Sequence, residues 1–290
     1  MTRDATDIRQ RLATAMKQAS FRWAGSDLDL LPDSGLAHTH VRLVGHGALA
    51  RIPKQSQMDL APEANLAYRA ACFERAGPMT DLLAEIETQA AWLDAAQIDA
   101  RARRAIDAEI ARYRALCALS PRPPQSLISF DAHPGNFMVR ADGRAVLVDL
   151  EKCRYSHASL DLAHATLYTS TTWGPASNTA LGVDEVAGAY AGWSHEMGPS
   201  AAAWHDWHLP LRRAMWLWSI TWCAKWRVAS TAASAATAAG EDWSSQLSEP
   251  DLIAHVRGRV DHYLSAPVVE HVLGEIDALA GAMPKLNEPS

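Results

Sequence analysis

One stretch constrains this chain more than any other: SFDAHPGNFMVRADGRAVLVDLE, residues 129–151. A short apolar run from Ser126 to Phe130 reads as a strand and stops at Asp131. Asn136 follows five residues on, past a Pro134-Gly135 turn. Asp142-Gly143 then separates FMVR from AVLVDL, which is hairpin turn chemistry. The far strand ends on Asp149, so a fold that obeys the pattern returns Asp149 to the mouth of the loop carrying Asp131 and Asn136. That ordered set has a defined chemical use. One carboxylate takes the proton of an attacking hydroxyl, while an amide and a second carboxylate hold a divalent cation against phosphates. Each residue alone would be an ordinary turn or capping group. The order, with a hairpin between, is the signal.

FDAHPGNFMV followed by VLVDLEKCRYSHASLDLAHA resembles the catalytic and metal-binding segments of the aminoglycoside phosphotransferase/choline kinase family. Members carry H-G-D-x-H-x-x-N, a buried hairpin ending D-[FLW]-[ED], and a helix that starts D-[LI]-A. The resemblance implies transfer of the ATP γ-phosphoryl group, with Mg²⁺, to a hydroxyl of a small molecule: an aminoglycoside, a choline-like alcohol, a sugar or an amino acid. It makes Asp131 the catalytic base and Asn136 and Asp149 the metal ligands, with Glu151 as a second acid beside the metal. His133 would brace the loop. Asp161 would cap the next helix and support the loop from behind. The family's opening H-G is Ser129-Phe130 in this chain.

The N-terminal part fits the same family through its architecture. Residues 5–19 and 62–76 have helical spacing. Between Leu28 and Lys54, short alternating runs divided by Gly and Pro predict a small antiparallel sheet. Pro32-Asp33-Ser34-Gly35 resembles a phosphate-covering turn, so Ser34 and Gly35 are candidate nucleotide contacts. Arg51 stands at the third-strand position that touches the α- and β-phosphates, with Lys54 as its rival and Glu63 as its ion-pair partner. Helices are predicted over roughly 79–95 and 97–118, and no strand-like run occurs between Cys72 and Gln125. Beyond Ser159 nearly everything reads as helix. The expected fold is α+β and protein-kinase-like in two lobes. These are a small, apparently truncated β lobe over 1–77 and a large helical lobe over 78–290.

Composition narrows the function classes. Hydrophobic residues make up 48% of the 290, enough for a sizeable core. A net charge of −6 argues against a nucleic-acid reader. Four cysteines without a C-x-x-C pair predict free thiols in a reducing compartment. With a charged N-terminus and no apolar run near the ~18 residues of a membrane span, the expectation is a cytoplasmic protein without a membrane partner. LRRAMWLWSITWCAKWRV (211–228) is apolar nearly all round and reads as a buried core helix rather than an aromatic cage for a quaternary ammonium. Two other readings remain from the sequence. One is a kinase-like binding protein without catalysis. The other is a metal-dependent hydrolase built on His133, His157, Asp161 and His164.

Overall fold

The computed structural model describes residues 28–30, 38–43, 48–53, 77–119, 122–175, 178–230 and 250–283. They fall into two compact units. The first holds a three-stranded antiparallel sheet ordered β1 (Leu28–Leu30), β2 (His38–Leu43), β3 (Ala48–Pro53). Val41 faces Leu30 on one side and Ala50 on the other and is fully buried. Arg51 lies opposite His40 in this ladder. The side chain of Arg51, and all of Ser34, Gly35, Lys54, Glu63 and the predicted helices over 5–19 and 62–76, lie outside the described residues.

Among the described residues, the first element of the second unit is α1 (Pro78–Ala90). Pro78 sits in the first turn, where its missing N–H costs nothing, and Thr80 Oγ1 donates to the Gly77 carbonyl at 2.7 Å. Met79, Leu82 and Ile86 form its buried stripe. The helix ends five residues earlier than the spacing predicts, and turns run to Gln97, whose φ is 50°. The next helix, α2 (Ala100–Leu116), starts three residues later than expected. Its start is fixed by Asp99, whose carboxylate accepts from the Arg101 amide at 2.7 Å.

Two small ribbons follow, and they carry the site. β4 (Ser126–Ile128) pairs antiparallel with β7 (Arg154–Ser156). Between them, β5 (Phe137–Val139) and β6 (Ala145–Leu147) form the predicted hairpin. Gly143 takes a φ of 83° at its turn, and the Asp142 carboxylate accepts from the Arg144 amide. The hairpin is not buried as the family pattern leads one to expect: Phe137, Met138, Val139 and Val146 are exposed. A ribbon of two three-residue strands has too little area to cover its own faces.

The remainder is helical: α3 (Ala158–Thr166), α4 (Tyr168–Thr171), α5 (Val183–Met197), α6 (His208–Ala229), α7 (Pro250–Tyr263) and α8 (Ala266–Ala282). Helix α6 is the tryptophan-rich segment. Its Trp216, Trp218 and Trp226 are buried with Leu211, Met215, Leu217, Ile220 and Cys223, and it packs against α1, α2 and α3. These three tryptophans are core. The fold is α+β. No helix among the described residues is long and apolar enough to cross a membrane.

Candidate active site

Strand β4 delivers the chain to a loop whose backbone is tied down from behind. The amides of Ser129 and Phe130 donate to the two oxygens of Asp161 at 2.7 and 2.8 Å. With both oxygens committed to the loop, Asp161 does not cap α3 as expected; His157 is the N-cap and makes no side-chain capping bond. Burial pushes the Asp161 carboxyl above the usual carboxylate range, opposed by the bonds from Ser129 and Phe130. Ser129 Oγ in turn accepts from the Asp131 amide at 3.2 Å.

Phe130 adopts a φ of 57°. The left-handed region costs a residue with a Cβ about 1–2 kcal/mol, which gives the family's glycine at this position a physical reason. Here the place is taken by a buried aromatic ring that lies against the Arg154 guanidinium at 3.7 Å and meets Trp218 edge-on at 5.1 Å.

Asp131 follows directly, its side chain 14% exposed, with Lys152 Nζ at 3.2 Å from Oδ2. Burial would raise its pKa. The positive field of Lys152 foremost, joined by His164 and His133 when they are protonated, outweighs burial and holds the carboxyl below its ordinary value. At neutral pH it is therefore an ionised, partly accessible carboxylate, able to accept one proton. His164 is buried behind it, its pKa driven down to about 4 mainly by burial, and His133 is likewise lowered by burial. His133 Nδ1 accepts from the Gly135 amide at 3.0 Å, which closes the turn.

Asn136 is buried and spends its side-chain nitrogen on the Asp131 carbonyl at 2.8 Å. That bond leaves its amide oxygen as the side-chain atom that could hold a metal. Its own carbonyl accepts from the Val148 amide at 2.8 Å, so the residue just before Asp149 is bonded to Asn136. Asp149, at a φ of 64°, turns the chain sharply into the 3₁₀ segment Leu150–Lys152. The backbone of Glu151 lies in that segment, and its side chain is outside the described residues. The hydrolase set does not converge: His157 Nδ1 is engaged by the Pro124 carbonyl at 2.9 Å, and Asp161 is engaged by the loop.

Residues 45–204, more than half of the chain, match the phosphotransferase enzyme family. The chain belongs to this family. Membership implies a protein-kinase-like fold and phosphotransferase activity, and the matched span contains the whole loop–hairpin–helix segment from Ser126 to His164. No curated protein matches the chain.

Within this phosphotransferase, the immediate neighbours of Asp131 are only partly visible in the sequence. The one local signal for Lys152 is its place directly after Asp149-Leu150-Glu151. His164 enters the sequence reading only through the hydrolase set, yet its three-residue step from Asp161 is the helical spacing that brings it behind Asp131. An amide oxygen on Asn136 and a carboxylate on Asp149 are the kinds of oxygen ligand that a hard divalent cation such as Mg²⁺ takes, and the bond from the Val148 amide to the Asn136 carbonyl ties their two segments together.

Proposed function

We propose that this protein is an ATP- and Mg²⁺-dependent kinase that moves the γ-phosphoryl group to a hydroxyl of a small molecule. The observation that carries the reading is the state of Asp131: ionised, partly exposed, and presented on a loop pinned through two amides to Asp161. Asp131 accepts the proton of the acceptor hydroxyl as its oxygen bonds to the γ-phosphorus. The bond from γ-phosphorus to the bridging oxygen breaks, and ADP leaves with that electron pair. Asn136 and Asp149, helped by Glu151, would hold the Mg²⁺, which when bound would supply positive charge against the β- and γ-phosphates. Lys152 counters the negative charge beside the base while the hydroxyl approaches. Ser34 and Gly35 contact the phosphates, Arg51 with Glu63 positions them, and His133 braces the loop. Two lobes, 1–77 and 78–290, and a cytoplasmic location belong to the same proposal.

A second reading, a kinase-like binder without turnover, draws on two observations. Ser129-Phe130 replaces the family's H-G, and Lys152 already occupies one oxygen of the base. Two measurements separate the readings. Calorimetry on wild type and Asp149→Asn should show Mg²⁺-dependent ATP binding that weakens in the variant. Asp131→Asn should keep that binding and lose about a hundredfold or more of any ATP turnover. Binding without ATP consumption across hydroxyl acceptors selects the binder. No binding of ATP or GTP, with or without Mg²⁺, overturns both.

A further inference from the structure

We propose that Glu85, on helix α1, is a positioning residue for the catalytic loop: through Arg154 and Trp218 it clamps the Phe130 side chain and so fixes the backbone that presents Asp131. The role rests on the reading of Asp131 as the base, but the clamp itself is an observation about packing. Four residues from four separate elements meet here. Glu85 Oε1 accepts from Arg154 Nη1 at 2.7 Å, and Glu85 Oε2 accepts from Trp218 Nε1 at 3.1 Å. Each partner then touches the same ring. The Arg154 guanidinium lies 3.7 Å from the Phe130 centroid, and the Trp218 ring meets it at 5.1 Å and 80°.

The need for such a clamp follows from the backbone. A non-glycine residue in the left-handed region persists only where its surroundings hold it. Asp161 fixes the amides of Ser129 and Phe130, but an amide bond does not stop the next peptide from relaxing toward negative φ. Trapping the side chain does, because the ring must move for φ to change. A charged guanidinium over an aromatic face in a largely buried site is attracted to it, and the partly exposed Glu85 carboxylate compensates a buried cation that would otherwise be costly. Trp218 also lies 6.0 Å from Lys152 Nζ, the group that pairs with Asp131. Glu85 thus bears on Asp131 through its backbone and through the cation beside it.

Glycine at this position makes the loop's conformation cheap. Phenylalanine makes it expensive and then locks it, so the clamp and the left-handed Phe130 require each other. Arg154 and Trp218 are both nearly buried, and Glu85 comes from 69 and 133 residues away along the chain. That places it beyond the reach of any local motif.

The test is residue-resolved amide hydrogen exchange on the full chain, comparing wild type with Glu85→Gln, Trp218→Phe and Phe130→Gly. Trp218→Phe keeps a ring against Phe130 but removes the bond to Glu85. The clamp predicts exchange at Ser129, Phe130 and Asp131 about tenfold faster in Glu85→Gln and Trp218→Phe, with the amides of α8 unchanged. Phe130→Gly removes both the left-handed strain and the ring that is clamped, so in that background Trp218→Phe should no longer speed loop exchange. Unchanged loop exchange in Trp218→Phe, or the same acceleration with and without the Phe130 ring, sinks the clamp, even if Glu85→Gln loosens the whole protein. Where turnover is measurable, kcat should fall in Glu85→Gln at an unchanged KM for Mg·ATP. The two ideas fail separately. A wild type that binds no nucleotide, yet whose loop responds to these variants, overturns the kinase reading and leaves the clamp. Variants that bind nucleotide and keep wild-type loop exchange overturn the clamp alone.

Discussion

At the scale of single residues, the loop leaves little room for change, and Gly135 shows why. A Cβ at this position would lie 2.6 Å from His133 Cε1, closer than real contacts allow, and a tight 3.2 Å from Nδ1. Its φ is not positive, so the demand for glycine here is purely steric. The obstructing group is the imidazole whose Nδ1 accepts from the Gly135 amide. Gly135→Ala should therefore push the His133 ring aside, break that bond and cost about 1–2 kcal/mol. A double-mutant cycle by chemical denaturation checks the cause. In a His133→Ala background the obstruction is gone, and adding Gly135→Ala should cost almost nothing. Equal costs in both backgrounds would place the strain elsewhere.

At the scale of elements, α6 is held to its neighbours by two arginines one residue apart, whose partners differ sharply in burial. Arg212 is fully buried and bonds Glu275 of α8 at 2.7 Å, with Thr166 of α3 taking two further bonds. Arg213 bonds the buried Glu109 of α2 at 2.9 Å and also meets the exposed Asp277 of α8. Removing one partner of a buried pair strands a charge and costs about 3–5 kcal/mol, whereas an exposed pair is worth about 0–1 kcal/mol. Glu275→Ala should thus lower stability severely and Asp277→Ala hardly at all, as denaturant midpoints would register. Comparable losses would mean that Arg212 finds another acceptor. The same contrast explains what could be read from the sequence. The hairpin, the apolar tryptophan helix and the order Asp131, Asn136, Asp149 are local patterns, so periodicity and turn residues reveal them. Asp161 below the loop was legible because it lies in the same segment. The endpoints of α1 and α2 were not, because Asp99 outcompetes spacing by capping. Nor was the set Glu85, Arg154, Trp218, which depends on elements distant in sequence meeting in space. Exposure of the hairpin was equally hidden, since alternation of apolar residues does not say what covers them.

At the scale of the whole molecule, stability should depend on pH through histidines buried in their neutral form. His208 is fully buried, its Nδ1 2.9 Å from Ser159 Oγ, with the rings of Tyr190 and Trp193 packed edge-on at 4.9 and 5.3 Å. Burial foremost, then the positive field of His205, lowers its pKa from 6.5 to about 4. His164 is lowered to about 4 by burial, against the attraction of Asp131. For a group whose folded pKa is depressed, the unfolded chain takes up its proton first, so stability is full above pH 6.5 and declines as pH falls toward 4. Each proton contributes a slope of up to about 1.4 kcal/mol per pH unit within that window. The raised pKa of Asp161 acts in the opposite sense and the lowered pKa of Asp131 in the same sense, so a histidine substitution is needed to isolate the histidine contribution. Denaturant unfolding at pH 7.5, 6.0 and 5.0 should show the decline. His208→Gln, which keeps a hydrogen-bonding group for Ser159 but cannot be protonated, should flatten the slope by about one proton between pH 6 and 5. A slope unchanged by that substitution would mean that the proton enters elsewhere, and that His208 is not held neutral by the core around it.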